Sequence, residues 1–227
     1  MKLVITCEHG GNLIPKQYKH LFVEGEKALK SHRGYDLGAL DLFYELNDLA
    51  DYSSSNSISR LLIEINRSLG HPALFSKFTN SLSKPEKDKI ISEFYRPYRN
   101  DVEQHIEKLI NDGGVVLHLS IHSFTPELNG EQRNADVGLL YDPSRDTEKM
   151  FCKNLKSELK NTSSDLKIRY NYPYLGTADG FTTYLRKKFQ HNYSGIEIEV
   201  NQKFSSNNKM KVAVKENFHA ALQNLIK

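Results

Sequence analysis

His122 follows the apolar run Val115–Ile121 in the segment SIHSFTP, and His9 follows Leu3–Thr6 in the segment CEHGG. A histidine fixed at a rigid strand end suits a catalytic zinc site. Zinc takes neutral imidazole nitrogen and carboxylate oxygen and keeps one position open for water. The competing reading of His122 is a hydrogen-bonded side chain at a strand terminus. A third ligand would be a carboxylate. Asp36, in HRGYD, is one choice, and its other reading is the N-cap of the helix that follows. His32, four residues upstream, and Glu8, beside His9, compete with it, and the sequence leaves the choice open. The helical HExxH spacing is absent, so the chain is not a zincin.

Glu199 stands inside the apolar run GIEIEV. An acid there is costly unless paired or exposed. Burial or a neighbouring carboxylate would raise its pKa and suit it to acid/base work. Glu197 shares its face by the period of two, but Glu199 is nearer the carboxyl end and is the better choice. Asn66 and Arg67 leave the run RLLIEI together. The planar guanidinium fork of arginine matches a carboxylate bidentately, so the pair suits a substrate anion; the alternative is a surface salt bridge. His118 is expected to be structural and Cys7 a small buried hydrophobe.

These residues need elements to position them. The pattern predicts strands at Leu3–Thr6, Arg60–Ile65, Val115–Ile121, Val137–Tyr141, Leu166–Tyr170 and Gly195–Val200. It predicts helices at Asp36–Leu49, Glu148–Lys160, Phe181–Phe189 and Lys209–Ile226, with a longer one at Pro85–Asn111 broken or kinked at Pro97. Asn171–Gly180 reads as a loop. Strands alternating with helices imply an α/β sandwich with a mostly parallel sheet, whose ligands bind at the carboxyl ends of strands. His9, Asn66 with Arg67, His122 and Glu199 fall at or near four such ends.

The 227 residues are expected to form a single domain, 1–227. A core of that size needs no structural metal, so a metal would be catalytic. The net charge of +3, from 31 basic and 28 acidic residues, forms no basic stripe and argues against nucleic acid. No apolar run reaches the roughly 18 residues of a membrane span. Two cysteines and a start that does not read as a signal peptide imply a cytoplasmic location. Nothing in the sequence specifies an oligomeric state.

The segments CEHGGNLIP, HRGYDLGA, LLIEINRS, YRPYR, LSIHSFTP, ADVGLLYDP, NYPYLGTADGFTTYLR and GIEIEVNQ occur in that order from residue 7 to about residue 202. Together they resemble the N-formylglutamate amidohydrolase family, and more widely the zinc carboxypeptidases and aspartoacylase-like deacylases. The resemblance implies a three-layer α/β/α sandwich with a mixed, mostly parallel sheet. SIHS resembles the motif carrying a ligand histidine, Asn66 and Arg67 the pair that anchors a carboxylate, and Ile198-Glu199-Val200 the context of a catalytic glutamate. The HxxE ligand unit of the carboxypeptidases is missing, because Asn12 stands where its glutamate would be. Asp36 is the replacement.

The resemblance implies amide hydrolysis of a small anionic N-acyl amino acid, with one zinc ion held by His9, Asp36 and His122. Glu199 would serve as base and Arg67 with Asn66 would hold the carboxylate. Arg186 is a further anion contact, with surface exposure as its alternative. Two rival readings remain. One is a carboxypeptidase-like hydrolase of a peptide or cell-wall fragment, with a pocket built from Tyr170, Tyr172 and Tyr174. The other is a metal-dependent anion-binding protein without turnover.

Overall fold

A computed structural model describes residues 1–226; Lys227, the end of the expected domain, lies outside them. Six strands form the main sheet: β1 (Lys2–Cys7), β2 (Tyr52–Ser55), β3 (Val116–Phe124), β4 (Val137–Leu140), β5 (Ile168–Tyr170) and β6 (Tyr193–Asn201). Their order is β2-β1-β3-β6-β4-β5. Neighbours run parallel except β4 and β6, which are antiparallel. The sheet is therefore mixed and mostly parallel, as expected.

The strands sort their side chains by the period of two. Leu3, Ile5 and Cys7 of β1, Leu117, Leu119 and Ile121 of β3, and Ile196, Ile198 and Val200 of β6 all enter one core. That core also takes Leu42 and Leu46 of α1 (Ala39–Leu46), Cys152 and Leu155 of α4 (Asp146–Thr162), and Phe218 and Leu222 of α6 (Val212–Leu225). On the opposite face Val4, Val116 and Tyr193 meet Val102 and Ile106 of α3 (Arg96–Asn111) and Phe181 and Leu185 of α5 (Phe181–Lys188). Helices thus cover both faces of the sheet. His118, Ser120, His122, Glu197 and Glu199 alternate with the first core's residues, so they belong to the α3/α5 face, and the last of them cluster where β3 and β6 end.

The run Arg60–Ile65 is not a strand; it forms turns, with Leu62 N–H donating to Ser59 O and Glu64 N–H to Leu74 O. Its leucines and isoleucines are buried instead in a satellite core with Tyr18, Phe22, Leu74, Ile90 and Tyr95. The second strand of the sheet is the polar Tyr52–Ser55, at its edge.

The long helical stretch comprises α2 (Lys84–Ile90), a π-helical turn at Ile91–Tyr95, and α3. The irregularity lies just before Pro97, which cannot donate to the carbonyl of Glu93. The helix expected from Asp36 starts instead at Ala39, behind Gly38 at φ +80°. The closing helix begins at Val212, because Lys209–Met210 pairs with Ser205–Ser206 as a small ribbon.

Candidate active site

A cleft of about 310 Å³ opens at the carboxyl ends of β1, β3 and β6. Its lining includes His9, Asp36, Asn66, Arg67, His122 and Glu199, so six of the seven residues singled out from the sequence meet there. His122 and Glu199 are direct cross-strand partners in the β3–β6 register.

Asp36 is the hub. Its Oδ2 accepts from His122 Nδ1 at 2.8 Å and from His9 Nδ1 at 3.3 Å. Its Oδ1 pairs with Arg60 Nη1 at 3.2 Å. The carboxylate is therefore spent on these partners rather than on capping α1. Burial opposes its charge, yet His9, His122 and Arg60 outweigh burial and hold the carboxyl well below its usual range.

Each imidazole has a second carboxylate behind it. His9 Nε2 donates to Glu64 Oε1 at 2.5 Å. His122 Nε2 donates to Ser120 Oγ at 2.9 Å, and Ser120 Oγ donates to Glu8 Oε2 at 2.5 Å. Burial disfavours protonation of His122, but Asp36 and Glu8 overcome it and raise its pKa well above the ordinary value. For His9, burial and Arg60 push down, while Glu64 and Asp36 push up and prevail. Both nitrogens of each ring thus face acceptors.

That donor set fits a metal ion. One ligand atom from each of His9, Asp36 and His122 lies within 4.8 Å of the others, and all three residues are buried. With a cation in place each imidazole would be neutral. His9 would keep its one N–H for Glu64 and His122 for Ser120, which passes to Glu8, as ligand histidines do, and each Nδ1 lone pair would be free to bind.

Glu199 is 5% exposed, and its buried Oε2 has no hydrogen-bond partner among the described residues. Burial pushes its carboxyl up to about 8; His122 counteracts this, and Asp36 and Glu197 add to it. Glu197 also lines the cleft, but its Oε1 already accepts from Thr182 Oγ1 at 2.6 Å. Asn66 Oδ1 accepts from Phe181 N–H at 2.7 Å. Arg67 Nη1 donates to the carbonyl of Asp179, and the carbonyl of Arg67 accepts from Tyr95 Oη at 2.8 Å.

Arg186 is neither at the surface nor in the cleft. It is 7% exposed, and it donates to Glu148 Oε1 at 2.9 Å, Gly176 O at 2.6 Å and Gly195 O at 2.5 Å. Its donors are committed to holding α5 and the loop before it, which leaves no role as an anion contact. His118 is buried between Thr6 and Tyr193, and Cys7 lies in the core. His32 is exposed and lies outside the ligand cluster. Of the three tyrosines, only Tyr174 lines the cleft.

Arg60 and Glu64 were not singled out from the sequence. Arg60 joins Asp36 to Glu64, with Nη2 2.5 Å from Glu64 Oε2. Glu64 itself offered a signal: it is an acid inside an apolar run, the same argument that picked out Glu199.

The fold and cleft define an α/β protein with an imidazole–carboxylate centre at its strand ends. The chain belongs to the N-formylglutamate amidohydrolase family, whose profile matches residues 1–205, and so it is a hydrolase acting on amide bonds. A gene product of Agrobacterium tumefaciens superposes with a TM-score of 0.78 and 23% identity, over 100% of this chain and 92% of that one. An N-formylglutamate amidohydrolase from Ralstonia eutropha superposes with a TM-score of 0.76 and 15% identity, over 99% and 92%. A metallo-carboxypeptidase from Burkholderia cenocepacia aligns more loosely, with a TM-score of 0.43 and 13% identity, over 99% of this chain and 57% of that one. No curated protein shows significant similarity to the chain.

Proposed function

We propose that the chain is a zinc-dependent amidohydrolase of a small anionic N-acyl amino acid, N-formylglutamate-like, with one ion held by His9, Asp36 and His122. The observation that carries this reading is the convergence of those three donors beside an unpartnered, protonatable Glu199 in one cleft. When bound, the ion polarises the amide carbonyl and acidifies water. Glu199 accepts the proton of the attacking water and delivers it to the departing amine nitrogen. Arg67, with Asn66 beside it, holds the substrate carboxylate and fixes the amide against Glu199. Glu8 and Glu64 keep the imidazoles in one tautomer and orientation.

The reading implies a small-molecule partner rather than nucleic acid or membrane. Among the described residues, no helix is long and apolar enough to cross a membrane. Both cysteines are buried and unpaired, in keeping with a cytoplasmic location.

The test combines elemental analysis with hydrolysis of N-formyl-L-glutamate. One zinc per chain and activity abolished by chelation are expected. Glu199→Gln should keep the metal and lose at least about two orders of magnitude in rate, while Glu197→Gln keeps most of it. Full activity in metal-stripped protein would overturn the reading.

A further inference from the structure

A second compartment, of about 210 Å³, adjoins the cleft and shares Asp36, Arg60, Ser123 and Tyr174 with it. It lies away from Asn66 and Arg67, which line only the first. Its wall carries His32, Arg33, Arg60 and Arg133, and among the described residues the only acid on it is Asp36. Asp36 is committed to His9, His122 and Arg60, and Arg60 is committed to Asp36 and Glu64. Arg33 and Arg133 have no carboxylate partner among the described residues. Arg133 is held by Tyr174, whose hydroxyl accepts from its Nη1 at 3.1 Å and whose ring lies 5.1 Å from its guanidinium carbon. Thr125 lies on the same wall, and its Oγ1 is buried without a partner among the described residues.

Resting on the proposed amide hydrolysis, the order of these groups fixes the direction of the substrate. With its carboxylate on Arg67 and its amide carbon at the His9–Asp36–His122 cluster, the acyl chain continues away from Arg67 toward the second compartment. A formyl group has no atoms to place there. We infer that this compartment is an acyl-side subsite for an anionic chain. The preferred substrates are then amino acids acylated by a dicarboxylic acid, whose free carboxylate binds Arg33 and Arg133. Two guanidinium forks on one wall, neither with a carboxylate partner among the described residues, match such a group.

The test uses the zinc-loaded protein and one amino acid acylated in pairs: succinyl against butyryl, and glutaryl against valeryl. Each pair differs only by a terminal carboxylate for methyl. At least one dicarboxylic member should exceed its partner about tenfold or more in kcat/KM, the scale of a hydrogen bond to a charged group. In the Arg33→Gln/Arg133→Gln double variant that ratio should fall to within about threefold of one. Calorimetric binding of glutarate and valerate to both proteins reads the subsite without turnover. Loss of the glutarate preference in the double variant supports the subsite even if no amide is cleaved. A wild-type protein that cleaves the amides with no dicarboxylic preference, or a preference that survives in the double variant, overturns the inference and leaves the hydrolase reading standing.

Discussion

Glu64 Oε1 accepts the Nε2 proton of His9 at 2.5 Å, on the far side of the ring from Asp36. In the proposed metal site this contact would leave Nδ1 of His9 to bind the cation. Glu64→Gln keeps the shape and weakens the acceptor. Zinc affinity should fall about 10–100-fold, read by competition with a chromogenic chelator. Unchanged affinity would reduce Glu64 to a partner of Arg60.

Arg67→Lys keeps the charge and loses the fork. KM for a carboxylate-bearing substrate should rise about tenfold or more, with a smaller change for the same substrate capped as an amide. Steady-state kinetics on the two compounds decides the matter. Equal losses would assign Arg67 to holding the Asp179 carbonyl alone.

Gly138 is the register partner of Glu199 across β4 and β6. A Cβ there would lie 2.0 Å from Tyr172 O and 3.3 Å from Glu199 Cβ. Backbone on one side and the β6 strand on the other leave little room to give. Gly138→Ala should cost about 1–3 kcal/mol, as overpacked sites do, and should lower activity by displacing Tyr174 and Glu199. Urea unfolding measures the first effect. A variant as stable as the wild type would show that the loop from Asn171 lifts off freely.

His9, His122 and Glu199 were legible because each ends or interrupts an apolar run whose period of two survives in the fold. The pairing of His122 with Glu199 was not legible, since sheet order comes from tertiary packing. Arg60–Ile65 misled for a physical reason: a short apolar run is buried equally well in an irregular satellite core, and periodicity cannot tell the two apart. The true edge strand, Tyr52–Ser55, is polar and half-buried, so it carries no such signal. Arg186 could have been placed, because on α5 it follows Phe181 and Leu185 on the buried face.

The π-helical turn at Ile91–Tyr95 lets one rod serve two cores. Ile90 and Tyr95 point into the satellite core, while Val102 and Ile106 point into the sheet's α3/α5 face. One extra residue in a turn rotates everything after it by about 100°. Tyr98, which donates to Glu8 Oε1 at 3.2 Å, and Arg99, which donates to Ile65 O at 2.9 Å, both lie downstream of that rotation. The helix therefore works as a phase-shifted camshaft: Tyr95, at the end of the turn, holds the Arg67 carbonyl, while the part beyond it holds the Ile65 carbonyl and steadies the carboxylate behind His122. Deleting a single residue from the turn would put those two parts out of step and uncouple both sides of the cleft at once.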